Sequence, residues 1–472
     1  MADNYFSSKQ FLSLLKEYEQ CEKQGIPCII SSDDYIDIAE YYDTHQGDTE
    51  HAERVADTAI KLYPGAPAPL VFKARLCMLR GDSFDQVRQW LEQVDDTNDL
   101  DFCYLTAEIM IQEDKVDEAN LYLRECFEKH LNDEDEEDII CDIASLFCDY
   151  GYEEIAMEWL QMADDKDDSY YQEIMARILI AKGEYEKGEN MLNHLLDSNP
   201  FVSTYWNSLA TSQYQRNNYQ DSILSSEYSI ALNPHDDEAV LNKANGLYQL
   251  GNFEEAAHYY QRYIKLRPED EYGELFLGVC LICLNRYVEA EEHLKTAVRK
   301  AEKTKHNMAE IYQELAFTES RLGKVDDALA CVDKTEDCGA DHNEMNVLRG
   351  HVMLENHFVD EAQTYFSKAV RESGSSPQIF LRVAVSVYDN GYVPLAHKMF
   401  RMLLNGVDDD WTEGYSYLAA CSYMEKKDDE WLSYLKTAVD KNPAEAKNVL
   451  ADFFPEGTEP QDYYSYAIEN MK

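Results

Sequence analysis

Residues 237–270, DEAVLNKANGLYQLGNFEEAAHYYQRYIKLRPED, show the structural pattern of this chain in its clearest form. The first half of this stretch carries apolar or small residues at helical spacing: Val240, Ala244, Leu247 and Tyr248. Gly251 follows, and glycine is the residue that most often ends a helix. The second half has an apolar face of its own, at Phe253, Ala256, Tyr260, Tyr263 and Leu266, and Pro268 stops it. The stretch therefore predicts two helices joined by a tight turn.

The same pattern recurs along almost the whole chain at steps of 32 to 38 residues, most often 34. One position of each period is occupied by Ala52, Gln86, Ala119, Ala156, Gly188, Ser222, Ala256, Ala290, Ala328, Ala362, Ala396 and Trp431. Twelve residues before nearly every one stands a second small residue: Ala74, Ala107, Ala144, Ala176, Ala210, Ala244, Gly278, Ala316, Gly350, Ala384 and Ala419. Two helices cross closely only where neither helix carries a bulky side chain. Each period therefore predicts one crossed helix pair that buries its apolar face against its neighbours.

The chain resembles the tetratricopeptide repeat family over roughly residues 33–445. The resemblance rests on Trp206, Leu209, Ala210, Tyr219, Ser222, Pro234, Gly251, Phe253, Ala256, Tyr260 and Pro268. It implies an all-α fold, a right-handed superhelical solenoid of stacked antiparallel helix pairs (an α-α superhelix) with about twelve units. We expect residues 1–32 to form an N-terminal capping helix and residues 446–472 a C-terminal capping helix and tail.

Three features depart from this pattern. Extra residues at 127–136 and 301–308 predict longer helices there. Gln86 and Trp431 place large side chains where a small one is expected.

Charge is the second strong feature of the sequence. The 472 residues include 92 Asp and Glu against 42 Lys and Arg, a formal net charge of −50. Nucleic acid is an unfavourable partner, because phosphate binding needs clustered basic residues, and anionic membranes are disfavoured likewise. The acidic runs at 133–138 and 408–410 are interpreted first as solvated loops and helix N-termini. The summed field favours a partner of basic character.

No pattern in the sequence indicates catalysis. Cys280 and Cys283 form the one tight cysteine pair, and without further ligands nearby they are expected to pack as small apolar groups rather than bind a metal. The pairs Cys141/Cys148 and Cys331/Cys338 are interpreted in the same way. There is no paired histidine motif, Gly-rich phosphate loop or nucleophile elbow. We therefore predict no enzyme activity, no catalytic residue, no metal and no cofactor.

The scattered cysteines predict reduced thiols and a cytoplasmic location. The N-terminal segment has no leader pattern, and no apolar run has the length of a membrane span.

The resemblance also implies a binding surface, since the first helix of each pair lines the concave side in this family. The positions that face it are Tyr104, Tyr170, Asn207, Thr211, Tyr214, Asn245, Tyr248, Tyr272, Gln313, His351, Tyr388 and Tyr423. Aromatic and amide side chains recognise peptides well, through rigid apolar area and adaptable hydrogen bonds. The lysine and asparagine clamp that some members use for a C-terminal carboxylate is missing: the corresponding positions hold Asn207, Thr211, Leu241 and Asn245.

The sequence thus predicts a non-enzymatic scaffold or adaptor that binds a peptide or protein segment, basic in character, in its concave groove. The alternative is a regulatory repeat protein that binds a small molecule or glycan and acts with a separate catalytic partner. The sequence does not indicate an oligomeric state.

Overall fold

The structure of the protein is a computed structural model. It describes residues 5–6, 8–130, 136–304, 306–455 and 457–470. Every regular element within this range is a helix, and the chain divides into two compact units, Met1–Leu284 and Asn285–Lys472. The predicted all-α fold is confirmed.

In its described residues, the first unit contains sixteen α-helices with defined bounds and one π-helix at Tyr41–His45. The α-helices are α1 Lys9–Gln24, α2 Ser32–Glu40, α3 Thr49–Leu62, α4 Pro67–Leu79, α5 Phe84–Leu91, α6 Leu100–Gln112, α7 Val116–Lys129, α8 Glu136–Asp149, α9 Glu153–Leu160, α10 Ser169–Ala181, α11 Tyr185–Ser198, α12 Ser203–Gln215, α13 Tyr219–Leu232, α14 Asp237–Gln249, α15 Phe253–Leu266 and α16 Glu271–Cys283.

The described part of the second unit contains eleven α-helices and a 3₁₀ turn at Ala451–Phe453. The α-helices are α17 Tyr287–Thr304, α18 Met308–Arg321, α19 Val325–Asp337, α20 His342–Glu355, α21 Val359–Glu372, α22 Pro377–Asp389, α23 Val393–Leu404, α24 Tyr415–Met424, α25 Asp428–Lys441, α26 Pro443–Leu450 and α27 Pro460–Asn470.

Consecutive helices pack as pairs within each unit. The even-numbered helices α2 to α14 are the first members of seven pairs in the first unit, and α18 to α24 are the first members of four pairs in the second. First helices also contact the first helix of the next pair, as α10 contacts α12 and α20 contacts α22. Their side chains therefore share one surface within a unit, which we call the first-helix face.

Small residues lie where the helices of a pair cross, as the sequence predicts. Ala176 and Gly188 meet at the crossing of α10 and α11, where a Cβ added to Gly188 would lie 2.8 Å from the Ala176 carbonyl oxygen. In the pair α12/α13, the Ser222 hydroxyl donates to the Ala210 carbonyl at 2.8 Å. Backbone thus approaches backbone at these points, and a larger side chain would separate the helices.

The sequence alignment of the repeats is wrong by one residue in α5. Gln86 is exposed, and its side-chain oxygen accepts a hydrogen bond from the backbone amide of Ser83 at 3.1 Å, forming a helix cap. The neighbouring Val87 is fully buried in its place and packs with Ala74. The large side chain at Trp431 is by contrast accommodated, because Phe453 and Phe454 pack around its ring.

The turns between paired helices use a left-handed residue. Gly251 has φ 78°, and Lys426 has φ 58° at the corresponding position between α24 and α25. Of the two insertions, the one at 301–308 accompanies a long helix, since α17 has 18 residues. The insertion at 127–136 does not lengthen its helix, because α7 has 14 residues and ends at Lys129.

Additional helices lie at both ends of the repeats. Phe11 of α1 is fully buried and packs with Tyr35 of α2. Tyr463 of α27 is 1 % exposed and packs in one cluster with Leu435 and Leu450. The division into a cap at 1–32, an array at 33–445 and a cap at 446–472 remains a prediction.

Candidate functional site

The first-helix face of the first unit carries eight of the side chains that the sequence predicts for binding. Tyr104 and Tyr170 lie on α6 and α10, while Asn207, Thr211 and Tyr214 lie on α12. The remaining three are Asn245 and Tyr248 on α14 and Tyr272 on α16. Most of these side chains are half-buried.

Tyr104 and Tyr170 meet at one carboxylate between them. The Tyr170 hydroxyl donates to Asp142 Oδ1 at 2.6 Å, and the Tyr104 hydroxyl donates to Asp142 Oδ2 at 3.3 Å. Burial raises the pKa of the Asp142 carboxyl, and the two phenol groups lower it in part. The sequence analysis missed Asp142, although an aspartate inside the apolar helix IICDIASLF was a usable signal.

Arg177 of α10 lies among several carboxylates. It forms an ion pair with Asp149 and donates to the Ser145 hydroxyl at 3.0 Å. Glu173 and Glu238 also interact electrostatically with this guanidinium. Burial raises the pKa of each of these two glutamates. A hydrogen bond with Thr204 and then Arg177 partly offset the rise at Glu173, and Arg177 partly offsets it at Glu238.

Glu40, at the end of α2, extends this pattern along the same unit. Burial raises the pKa of its carboxyl to about 7. Arg75 opposes the rise, whereas Asp37 and Asp101 add to it through like charge. Five carboxylates on first helices of this unit define what we call the acidic face: Glu40, Asp142, Asp149, Glu173 and Glu238.

The two predicted amides bond to neighbouring side chains. Asn207 is 6 % exposed, and its Oδ1 accepts from Asn242 Nδ2 at 3.0 Å. Thr211 accepts from the same Asn242 amide group at 3.0 Å. Asn245 Oδ1 accepts from the Tyr260 hydroxyl at 2.7 Å. Both amide oxygens therefore tie helices together, and their role in binding a peptide remains a prediction.

The predicted aromatic residues near the end of the first unit gather on Phe276 of α16. The ring centre of Phe276 lies 4.4 Å from Tyr272, 5.9 Å from Tyr248 and 5.8 Å from Tyr260. Tyr214 stands apart from Phe276, beside Tyr219 at 5.4 Å. The structure thus brings Tyr248 and Tyr272 together through a ring that the sequence analysis did not select.

In the second unit, two predicted residues line one open cavity of about 580 Å³. Its lining residues come from four successive first helices and the start of α23: Phe317, Arg321, His351, Tyr388, Asp389, Gly391, Val393 and Met424. We call this cavity the Asp389 pocket. His351 and Tyr388 were predicted from the sequence, whereas Phe317, Arg321, Asp389 and Met424 were not.

The polar groups of the Asp389 pocket differ in their partners and in the direction in which their pKa values are shifted. His351 is 8 % exposed, its Nδ1 lies 3.0 Å from the Ser386 hydroxyl, and burial lowers its pKa. Arg321 Nε pairs with Glu355 Oε1 at 2.8 Å. Burial raises the pKa of the Asp389 carboxyl to about 6, although Arg321 acts against the rise.

Tyr423, the last predicted residue, does not line this cavity. Its ring packs on Trp431 at 5.2 Å and on Phe453 at 5.1 Å, and half of its surface stays exposed. Gln313, on α18, is half-buried and is not part of the pocket lining.

The acidic runs lie where a solvated interpretation places them. Residues 133–135 fall outside the described part of the chain, and Glu136, Glu137 and Asp138 form the first turn of α8. Residues 408–410 are exposed between α23 and α24.

Metal ligands do not converge in the described residues: no group of three or more His, Cys, Asp and Glu side chains there could hold an ion. The twelve cysteines form no disulfide among the described residues, and burial raises the pKa of the Cys280 thiol to about 12. None of the described helices is long and apolar enough to cross a membrane.

Comparison with known structures gives several similar proteins. MamA is 17% identical, over 36% of this chain and 92% of its own, with a TM-score of 0.33. YrrB, described as a TPR protein with an unusual peptide-binding site, is 16% identical over 38% and 91%, with a TM-score of 0.34. The APC/C hetero-tetramer Cut9–Hcn1 is 13% identical over 95% and 94%, with a TM-score of 0.36. None of these similarities bears on function.

Sequence comparison identifies repeats in part of the chain. No curated protein matches this chain significantly. Residues 175–237 and 241–303 match a family model described as tetratricopeptide repeat. These residues include the crossings of α10 with α11, α12 with α13 and α14 with α15, where small residues meet as the period requires. These two stretches of the chain are thus identified as tetratricopeptide repeats.

Proposed function

We propose that this protein is a non-catalytic interaction scaffold whose acidic face binds a Lys- and Arg-rich segment of another protein. The observation that carries the proposal is the excess of carboxylates over cations among the interacting groups of that face. Arg177 faces Asp149, Glu173 and Glu238 together, and Arg75 faces Glu40 with Asp37 and Asp101 beside it.

The raised pKa values of these carboxyls support a cationic partner. A carboxyl whose pKa is raised by burial ionises at a cost, and a nearby positive charge removes part of that cost. A basic segment would therefore gain more from these groups than from fully solvated carboxylates elsewhere on the chain. The net charge of −50 would also speed its approach, as a long-range and salt-sensitive effect.

The first-helix face suits an extended segment because successive first helices contact one another along the unit. A chain lying across them would meet charged groups near Glu40, Asp142 and Glu238, and aromatic rings near Phe276. The rings would supply apolar contact that salt does not screen. The face would thus attract a basic segment through charge, which salt weakens, and hold it through apolar contact, which salt does not weaken.

A small molecule or glycan bound by the groove tyrosines is the weaker alternative. Sugar recognition needs free polar groups beside the rings. The hydroxyls of Tyr104 and Tyr170 already donate to Asp142, and the Tyr260 hydroxyl donates to Asn245. These tyrosines therefore have less hydrogen-bonding capacity left for a neutral ligand.

The test uses a fluorescein-labelled peptide of alternating Gly-Ser and Lys-Arg pairs and measures its binding by fluorescence anisotropy. One variant neutralises four groups of the acidic face: Glu40→Gln, Asp142→Asn, Glu173→Gln and Glu238→Gln. The matched control changes four exposed carboxylates on second helices of the same unit: Asp117→Asn, Glu128→Gln, Glu186→Gln and Glu255→Gln. Both variants change the formal net charge by the same amount, and the titration runs at pH 8, where Glu40, with its pKa of about 7, is mostly ionised.

We expect the first variant to weaken binding about tenfold or more, since each lost charge contact contributes a few tenths of a kcal/mol or more. The control should stay within about twofold of the parent. Circular dichroism verifies that both variants keep their helices. Equal weakening of both would mean that only the diffuse charge attracts the peptide, and the acidic face would be the wrong site. A failure of the parent to bind the peptide at all would exclude the basic partner.

A further inference from the structure

The Asp389 pocket in the second unit combines an apolar wall with a carboxylate that lacks a partner. Phe317, Tyr388, Val393 and Met424 supply the apolar part of the lining. Among the described residues, no hydrogen bond or ion pair engages the Asp389 carboxylate. The residue keeps exposed surface, so a ligand can reach it, although burial by its neighbours raises the pKa of its carboxyl.

The cation of the pocket is already engaged. Arg321 Nε pairs with Glu355 Oε1 at 2.8 Å, and Glu355 also accepts a hydrogen bond from the Ser320 hydroxyl. Two carboxylates, Glu355 and Asp389, thus face one guanidinium, which leaves the pocket with one negative charge in excess. An anionic ligand would have to displace Glu355 and would meet Asp389, so the charge favours a cation.

The histidine adds no charge at neutral pH. Burial lowers the pKa of His351, and its Nδ1 bonds with the Ser386 hydroxyl at 3.0 Å. Its ring lies edge-on to Phe317, with the ring centres 5.4 Å apart. His351 therefore extends the aromatic wall of the cavity.

We propose that the Asp389 pocket anchors one arginine side chain of a bound protein segment. The guanidinium would pair with the Asp389 carboxylate and lie against the Phe317 and Tyr388 rings. Arginine fits better than lysine, because its planar and weakly hydrated group stacks on aromatic faces while it donates in a fork. The cavity of about 580 Å³ has room for the side chain and the backbone that carries it.

Exposed apolar surface next to the pocket is consistent with this occupant. Tyr423 is 51 % exposed and Met424 is 47 % exposed, and Met424 lines the cavity. The alkyl stem of an arginine would cover part of the Met424 side chain. The inference rests on the proposed function, because it assigns the partner's basic character to a particular contact.

The test titrates the full chain, labelled with ¹³C at its methionine methyl groups, with the peptide acetyl-Gly-Ser-Arg-Ser-Gly-amide up to about 10 mM, a range that detects weak binding. Met424 reports the pocket. Met402 is 62 % exposed on α23, is absent from the pocket lining, and serves as the internal control. Met424→Leu and Met402→Leu assign the two signals. Two further peptides replace arginine with citrulline, its neutral isostere, or with glutamate.

We expect the arginine peptide to shift the Met424 signal and leave Met402 in place. The citrulline peptide should bind at least fivefold more weakly, because it loses the ion pair. Asp389→Asn should weaken arginine binding by a similar factor, whereas Asp408→Asn, an exposed aspartate of the same unit outside the pocket, should not.

Equal binding of the citrulline peptide, or an unchanged affinity of Asp389→Asn, would overturn the arginine assignment. A Met424 shift with the glutamate peptide alone would show that Arg321 is the reactive group and that the charge argument is wrong. If no peptide shifts the Met424 signal, the proposal that the pocket binds an arginine side chain is also refuted. None of these outcomes tests the acidic face of the first unit, which has its own variant set.

Discussion

Tyr170 and Asp142 join the first helices of two successive pairs through one short hydrogen bond, 2.6 Å from the phenol oxygen to Oδ1. The same carboxylate accepts from Tyr104 on the preceding first helix. One side chain thus links α6, α8 and α10 on the surface that the sequence predicts for binding. The Asp142 carboxylate therefore stabilises the packing of these helices and also contributes to the acidic face.

Asp142→Ala should therefore destabilise the protein. The variant removes the acceptor of two half-buried hydroxyls, and hydrogen bonds to charged groups contribute about 1.5–3 kcal/mol each, less the cost of burying the carboxylate. We expect a net loss of about 1–3 kcal/mol in the free energy of unfolding, measured in urea.

A double-mutant cycle separates this bond from general effects. Asp142→Ala combined with Tyr170→Phe should show a coupling of about 1–2 kcal/mol. Tyr150→Phe is the control, since the Tyr150 hydroxyl donates to Glu108 instead, at 2.8 Å. Its effect should add to that of Asp142→Ala. A coupling of zero with Tyr170→Phe would mean that the hydrogen bond contributes nothing to stability.

Gly350 tests the close crossing of α20 and α21. A Cβ at this position would lie 2.4 Å from the Phe366 ring. Alanine gains about 1 kcal/mol over glycine in helix propensity, but overpacking costs about 1–3 kcal/mol. We expect Gly350→Ala to lower the free energy of unfolding by about 1 kcal/mol or more.

A second substitution, at Phe366, tests whether a steric clash causes the loss of stability. Phe366→Leu removes the ring that the new methyl group meets, so Gly350→Ala should cost less in that background, or even stabilise. If Gly350→Ala stabilises the parent itself, the crossing is loose and the steric role assigned to the small residues is wrong.

The period of the sequence predicted the fold because it reports backbone geometry directly. Ala176, Ala210 and Ala244 are all fully buried at helix crossings. The shift at Gln86 was not predictable from spacing alone, since Gln86 is used as a helix cap and its neighbour Val87 fills the core. A capping residue and a crossing residue can exchange places without changing the length of the repeat.

The candidate sites were predictable only in part. The family resemblance selected His351 and Tyr388, which do line one cavity. It could not select Arg321 or Asp389, because their importance depends on an ion pair with Glu355 and on a carboxylate left without a partner. Asn207 shows the converse: it lies on the predicted face, yet its oxygen accepts from Asn242. Side-chain pairing between helices is not encoded in the period.

The thiols give a third prediction. Cys283 and Cys338 are exposed, whereas burial raises the pKa of Cys141 and Cys421 to about 12. A thiol-specific reagent at pH 8 should therefore modify these two exposed cysteines first, and Cys283→Ser and Cys338→Ser should each remove one equivalent from the fast phase. Reductant and chelator should leave the helical circular-dichroism signal unchanged. A loss of helix with either reagent would reveal a disulfide or a bound metal.

Glu40 predicts a pH-dependent stability. Burial raises the pKa of its carboxyl from 4.5 to about 7 in the folded protein. The folded state therefore holds this proton more tightly, so the contribution of Glu40 to stability is fully present below pH 4.5 and is lost as the pH rises through 7. Glu40→Gln should match the parent near pH 4.5 and exceed its free energy of unfolding by up to about 3 kcal/mol at pH 8. Urea unfolding at the two pH values measures the difference.

Glu118→Gln, at an exposed site on α7, is the control and should have the same free energy of unfolding as the parent at both pH values. A constant difference between Glu40→Gln and the parent across this range would contradict the ionisation of a buried Glu40, and would leave the acidic face without its most strongly shifted group.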